Sequence, residues 1–142
     1  MTISSILHGR DGDVYTAAAG ESVKQVAARL AERRIGALPV VDGDRVIGIF
    51  SERDVIYGLA THGAAMLDKK IGDVMTSPAV TVAADTPILA ALSMMTRRRI
   101  RHLPVTEGER LIGFVSIGDL VKYRIEMIEG EASALRDYIQ MA

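Results

Sequence analysis

The chain has 142 residues, 49% of them hydrophobic, enough for one compact domain or for two half-size units sharing a core. Its 17 Lys and Arg against 18 Asp and Glu leave a net charge of -1, so no global field draws in nucleic acid or an anionic membrane, and any anion site has to be local. Cysteine is absent, which excludes disulfides, thiolate metal sites and a cysteine nucleophile and fits a reducing cytosol. With no basic leader and no apolar run of about 18 residues, a cytoplasmic protein is expected.

In chain order, a strand around Tyr15 and Thr16 leads into a helix capped by Ser22, with Val23, Val26, Ala27 and Leu30 on one face and an end near Gly36. Residues 38–41 and 46–50 read as a hairpin around Asp42-Gly43-Asp44, and a second helix starts at Ser51. The same punctuation then returns. A strand at Val80 and Thr81 precedes Asp85 or Thr86, and Pro87 is expected at the first helical position, with Ile88, Leu92 and Met95 on the apolar face. Strands at 103–106 and 111–115 flank Glu107-Gly108-Glu109. A last helix from Ser116 runs on through Ile125, Ile128, Leu135 and Ile139 with a break expected at Gly130, and this tail is too apolar to be left in water. Pro39 and Pro104 cannot donate to a ladder, so each is expected at a strand start or edge.

The two passages are copies. An offset of 65 residues aligns 33–56 with 98–121 without a gap, and 12 of the 24 pairs are identical, among them Pro39/Pro104, Gly48/Gly113, Ser51/Ser116 and Asp54/Asp119. Two copies are too few for a solenoid and indicate a duplicated β-α-β-β-α unit. The expected organisation is repeat 1 at 1–65, repeat 2 at 66–125 and a helical extension at 126–142.

Chemistry concentrates in Gly48-Ile49-Phe50-Ser51-Glu52-Arg53-Asp54 and its copy Gly113-Phe114-Val115-Ser116-Ile117-Gly118-Asp119. Ser-x-x-Asp at a strand-to-helix junction is a capping-box variant that satisfies the helix's own amides without any ligand. The same geometry suits a nucleotide, because free amides at a helix start attract phosphate and a carboxylate accepts two vicinal ribose hydroxyls.

The wider pattern resembles the CBS domain family, named after cystathionine beta-synthase. It rests on Ile100-Arg101-His102-Leu103-Pro104-Val105, on both Gly-x-x-Ser-x-x-Asp segments, on Ile71-Gly72-Asp73-Val74-Met75-Thr76-Ser77-Pro78 and on the duplication itself, over roughly residues 6–125. The resemblance implies an α/β (α+β) fold of two pseudo-symmetric repeats packed through their sheets, with two clefts between them. One cleft would combine Ser51, Arg53 and Asp54 with Val80 and Thr81 and with Arg101, His102 and Pro104. The other would combine Ser116 and Asp119 with Tyr15 and Thr16 and with Gly36, Ala37 and Pro39. It further implies AMP, ATP or an NAD-type adenine nucleotide as ligand, a homodimer, and an effector protein as a further partner. The copies differ at residues 7–13, where the second has Gly-Asp-Val-Met-Thr-Ser-Pro, and at Gly36-Ala37 against Arg101-His102. The Asp119 cleft is therefore expected to lack a phosphate partner and to stay empty or take an uncharged adenosine-like group.

Other features weigh less. Arg97, Arg98, Arg99 and Arg101 suit a solvated helix end, and nucleic-acid binding would want interleaved aromatics that are scarce here. His8, His62 and His102 lack metal-ligand spacing, and Met94 and Met95 fit a core. The sequence thus points to a regulatory adenine-nucleotide sensor that is not an enzyme. A ligand-free interaction module is the alternative, and a serine-dependent hydrolase using Ser116 or Ser51 is a third reading, Ser116, His102 and Asp119 having the ingredients of a triad.

Overall fold

The computed structural model describes residues 1–10 and 14–141; of the divergent segment 7–13, residues 11–13 lie outside the described part, as does residue 142 of the expected tail. In chain order it contains α1 (Ile3–His8), β1 (Ala17–Ala18), α2 (Val23–Arg33), β2 (Ala37–Asp42), β3 (Arg45–Ser51), α3 (Glu52–His62), a 3-10 turn (Gly63–Asp68), α4 (Ile71–Val74), α5 (Ile88–Arg98), β4 (His102–Glu107), β5 (Arg110–Ser116) and α6 (Ile117–Met141). The strands lie in the order β1-β2-β3-β5-β4. Two hairpins, β2–β3 and β4–β5, meet at a single pair, Arg45 opposite Arg110. The repeat is visible in the register: Ala17 pairs with Val40 in parallel, and 65 residues on Val82 bridges Val105 in parallel. This is the expected α/β fold of two pseudo-symmetric repeats with a long terminal helix.

Local chemistry sets each boundary. Ser22 caps α2 in a full capping box with Gln25. The helix then closes at Arg34 rather than near Gly36: Arg34 takes the left-handed conformation at φ 54°, its N–H bonding to Ala31 and that of Ile35 to Leu30. Ile35 packs on the core, and this Schellman closure offsets the cost of a left-handed arginine. Arg99 and Ile100 repeat it at the end of α5. Pro87 is the N-cap of α5 in extended conformation, so the helix begins one residue later than expected, at Ile88. Gly43 and Gly108, both at φ 62°, supply the left-handed turn residue that each hairpin needs.

Two further expectations are corrected. Pro39 lies inside β2, which is paired on both sides, opposite Ile49, whereas Pro104, opposite Phe114, lies in β4, an edge strand of the sheet as expected. The Pro104 carbonyl accepts from Val82 N–H at 3.0 Å, so its nitrogen points to that same outer side and the β5 ladder loses nothing. Helix α6 also passes Gly130 unbroken, and its Val121, Ile125, Ile128, Leu135, Tyr138 and Ile139 are exposed in the single chain.

Two apolar cores result, and each is completed from the other half of the chain. Ile3 and Ile6 of α1 are buried with Val82, Ile88, Met95, Leu103 and Leu120 of the second repeat. Met66 and Ile71, beyond α3, are buried with Val23, Val26, Leu38 and Phe50 of the first. The segment after α4 also pairs with β3, Ile49 and Thr76 exchanging two backbone hydrogen bonds of 2.9 Å.

Close approach at the glycines gives a test. A Cβ on Gly48 would come within 2.9 Å of the Thr76 carbonyl and 2.6 Å of Met75 Sδ, whereas on repeat-equivalent Gly113 it would meet Leu7 Cδ2, the end of a flexible side chain, at 2.6 Å. Gly48→Ala is expected to cost roughly 1–3 kcal/mol and Gly113→Ala clearly less. Urea denaturation of both variants checks this, and equal losses would contradict it.

Candidate functional site: two clefts between the repeats

The strand β3 delivers Ser51 to the start of α3, where its backbone N–H donates to Asp54 Oδ2 at 2.9 Å and the Asp54 N–H donates back to Ser51 Oγ at 3.3 Å. Thr76 Oγ1 donates to the other carboxylate oxygen of Asp54 at 3.1 Å. The capping reading of Ser-x-x-Asp is therefore correct. It leaves the carboxylate half-buried at the wall of a cavity of about 230 Å³.

Ser51, Arg53, Asp54, Val80, Arg101 and His102 all line that cavity, joined by Gly36 and Ala37 from β2 and its approach. Thr81 and Pro104 do not. Thr81 faces a separate hollow beside Arg45 and Glu109, and Pro104 is buried beneath the wall. Sequence reasoning missed Ile49, Glu52, Thr76, Pro78, Ala79 and Ile100 as lining residues. The segment holding Thr76 and Pro78 was recognised as a motif, and its pairing with Ile49 is a tertiary contact that no local pattern encodes.

The second cavity, about 570 Å³, lies at the start of α6. Ser116 and Asp119 repeat the reciprocal bonds, Ser116 N–H to Asp119 Oδ2 at 2.7 Å and Asp119 N–H to Ser116 Oγ at 3.1 Å. Tyr15, Gly36 and Ala37 line it as expected for this cleft, while Pro39 stays buried and Thr16 lines a neighbouring groove with Arg29 and Arg33. The expected lack of a cation is overturned: Arg10 and Arg34 both line the cavity. Arg10 Nη2 pairs with Asp119 Oδ2 at 2.5 Å and Arg10 Nη1 donates to the Phe114 carbonyl at 2.6 Å. The sequence marks Arg10 only by its place in one of the two segments where the copies diverge.

His102 lines both cavities and stacks on Phe114, ring centroids 5.5 Å apart. Burial holds its pKa below the ordinary 6.5; Asp119 and Glu52 pull it back up, and Arg101 adds to the depression. Asp119 lies below its ordinary 3.8. Burial raises it, but the Ser116 N–H and the Arg10 guanidinium together outweigh that and keep the carboxylate ionised.

A family model described as CBS domain matches residues 7–61 and again 71–126. The chain is 32% identical over 148 residues to the CBS domain-containing protein CBSX3, mitochondrial, of Arabidopsis thaliana, an alignment that covers 98% of this chain and 72% of that protein. It superposes on the crystal structure of the CBS-domain containing protein ATU1752 from Agrobacterium tumefaciens with a TM-score of 0.81 at 37% identity, over 87% of this chain and 92% of that one. It is also similar, with a TM-score of 0.78 at 25% identity over 89% and 98%, to the CBS domain pair of protein MJ0100, solved in complex with 5'-methylthioadenosine and S-adenosyl-L-methionine.

The depressed His102 has a measurable consequence. The unfolded chain takes up a proton at 6.5 that the folded chain refuses until lower pH, so this stability is complete above 6.5 and lost as pH falls below it. An NMR titration of the imidazole is expected to show a midpoint below 6.5, and His102→Gln is expected to flatten the pH dependence of stability in that window. A midpoint at or above 6.5 would contradict the burial described here.

Proposed function

We infer that this chain, which belongs to the CBS domain family, is a regulatory module that binds an adenine nucleotide between its repeats and does not turn it over. AMP, ATP or an adenine dinucleotide is the ligand, and the Asp54 cleft is the tighter site for a phosphorylated adenosine. The carrying observation is that a helix-capping carboxylate, Asp54, lines one cavity together with Ala79, Val80, Arg101 and His102 from the other repeat. In this reading Asp54 takes the ribose hydroxyls, the extended segment at Ala79 and Val80 reads adenine by its backbone, and Arg101 meets phosphate. Thr76 already places a neutral hydroxyl on Asp54 Oδ1, so a ribose hydroxyl replaces it like for like. The adenosine-type ligands of the MJ0100 pair support the ligand class.

Binding without turnover is supported by the serines. Both hydroxyls accept a helix N–H in a cap, and among the described residues neither is hydrogen-bonded to a histidine that would activate it. The interaction-module reading also has an observation in its favour. Ile56 and Tyr57 on α3 and Val121 and Ile125 on α6 are exposed apolar residues, Ile56 and Val121 at equivalent positions of the two repeats. We propose that a second copy covers these faces in a homodimer.

Calorimetry on two variants with two ligands tests the site. Arg101→Ala is expected to weaken AMP by roughly ten- to a hundredfold, nearer the lower figure because Arg101 is exposed, and hardly to affect adenosine. Asp54→Ala is expected to weaken both, with AMP recovered chemically unchanged. An AMP affinity left unchanged by both variants, or phosphate release lost in Ser51→Ala, would overturn the assignment. Light scattering is expected to give a dimer that Ile125→Glu dissociates, and a monomer at tens of micromolar, by order of magnitude for such an interface, would refute the assembly.

A further inference from the structure

The two capping carboxylates are related by the repeat but differ in what already sits on them. Asp54 receives a neutral hydroxyl from Thr76, whereas Asp119 receives a guanidinium from Arg10. The arginine is anchored twice, through Nη2 to the carboxylate and through Nη1 to the Phe114 carbonyl on β5, so it lies across the wall of the 570 Å³ cavity.

We propose that Arg10 is the specificity-determining residue of the Asp119 cleft, making it accept phosphorylated nucleosides and reject neutral ones. This rests on the adenine-nucleotide reading above. A ribose diol reaching for Asp119 has to displace Arg10. A hydroxyl donates a neutral hydrogen bond and cannot replace a charge-assisted pair, so an uncharged nucleoside leaves the guanidinium without its anion. A phosphorylated ligand brings the replacement with it. When its ribose takes Asp119, its phosphate receives Arg10, and Arg34 on the same cavity supplies a second cation. The half-exposed pair, 38% and 35% accessible at the two side chains, can exchange in this way without uncovering a buried charge. The ion pair is then a lock that only an anion opens, the reverse of the preference for uncharged groups that the sequence suggested.

The experiment uses the full chain carrying Asp54→Ala, which silences the other cleft, and measures AMP and adenosine by calorimetry. AMP is expected to bind at least about tenfold more tightly than adenosine, the difference expected of a charge-assisted contact. Asp119→Ala in this background abolishes both. Arg10→Ala and the bulkier, uncharged Arg10→Gln are each expected to weaken AMP and strengthen adenosine, shrinking the preference by about tenfold, with thermal melts verifying that both remain folded. A preference unchanged by both substitutions would overturn the role of Arg10. Binding by the unmodified chain that vanishes entirely with Asp54→Ala, in a protein still folded, would remove the second cleft as a site while the wider reading survives. No binding of either ligand to the unmodified chain would refute that reading and this inference with it.

Discussion

The reciprocal bond between serine and aspartate at the start of α3, and its copy at the start of α6, is the contact on which the clefts depend. A strand that turns directly into a helix leaves the first helical amides without partners, and a buried orphan amide costs of the order of a lost hydrogen bond. Ser51 and Asp54 satisfy each other's backbone N–H groups, and in doing so fix the carboxylate at the cavity wall instead of letting it follow the helix surface into solvent. In the proposed reading the motif is therefore structural and functional through the same atoms. A carboxylate already held by its own cap loses little further freedom on meeting a ligand, which is the benefit of preorganisation.

The interlocked cores place the walls around these caps. Because Met66 and Ile71 are buried with the first repeat, the chain must run back along β3 before it enters the second repeat, and that return brings Thr76, Pro78, Ala79 and Val80 past Asp54. At the other end, α1 is buried with the second repeat, and Arg10, two residues past its last turn, is carried to Asp119. In each half, the passing segment supplies what the capping motif lacks. Much of the chemical difference between the clefts is thus a difference between two connecting segments laid over repeated hairpins.

The parts legible in the sequence were those where one local rule acts alone. The 65-residue register, the hairpins around Gly43 and Gly108 and the caps at Ser22 and Ser51 follow from short-range patterns that the structure reproduces. The errors share one cause: a tertiary contact overriding a local preference. Glycine would be the favoured left-handed closing residue, yet Arg34 closes α2 because Ile35 one step on has a core to enter. Proline was placed at a strand start or edge by its missing donor; Pro104 obeys this on the edge strand β4, yet Pro39 sits inside β2, which pairs with β1 as well as β3. Arg10 could not be assigned at all, since Asp119 is 109 residues away in the chain and meets it only through the packing of α1.

The break in symmetry at Gly36-Ala37 against Arg101-His102 also acquires a physical reason. Gly36, Ala37 and His102 line both cavities, so these repeat-related positions stand close together between the two clefts. A Cβ on Gly36 would lie in ordinary contact, 3.6 Å from His102 Cε1 and 3.4 Å from Glu52 Oε1. The small pair in the first repeat leaves the wall shared by the two cavities to the His102 ring, and the cations that line the Asp119 cavity come from other segments, Arg10 after α1 and Arg34 at the end of α2.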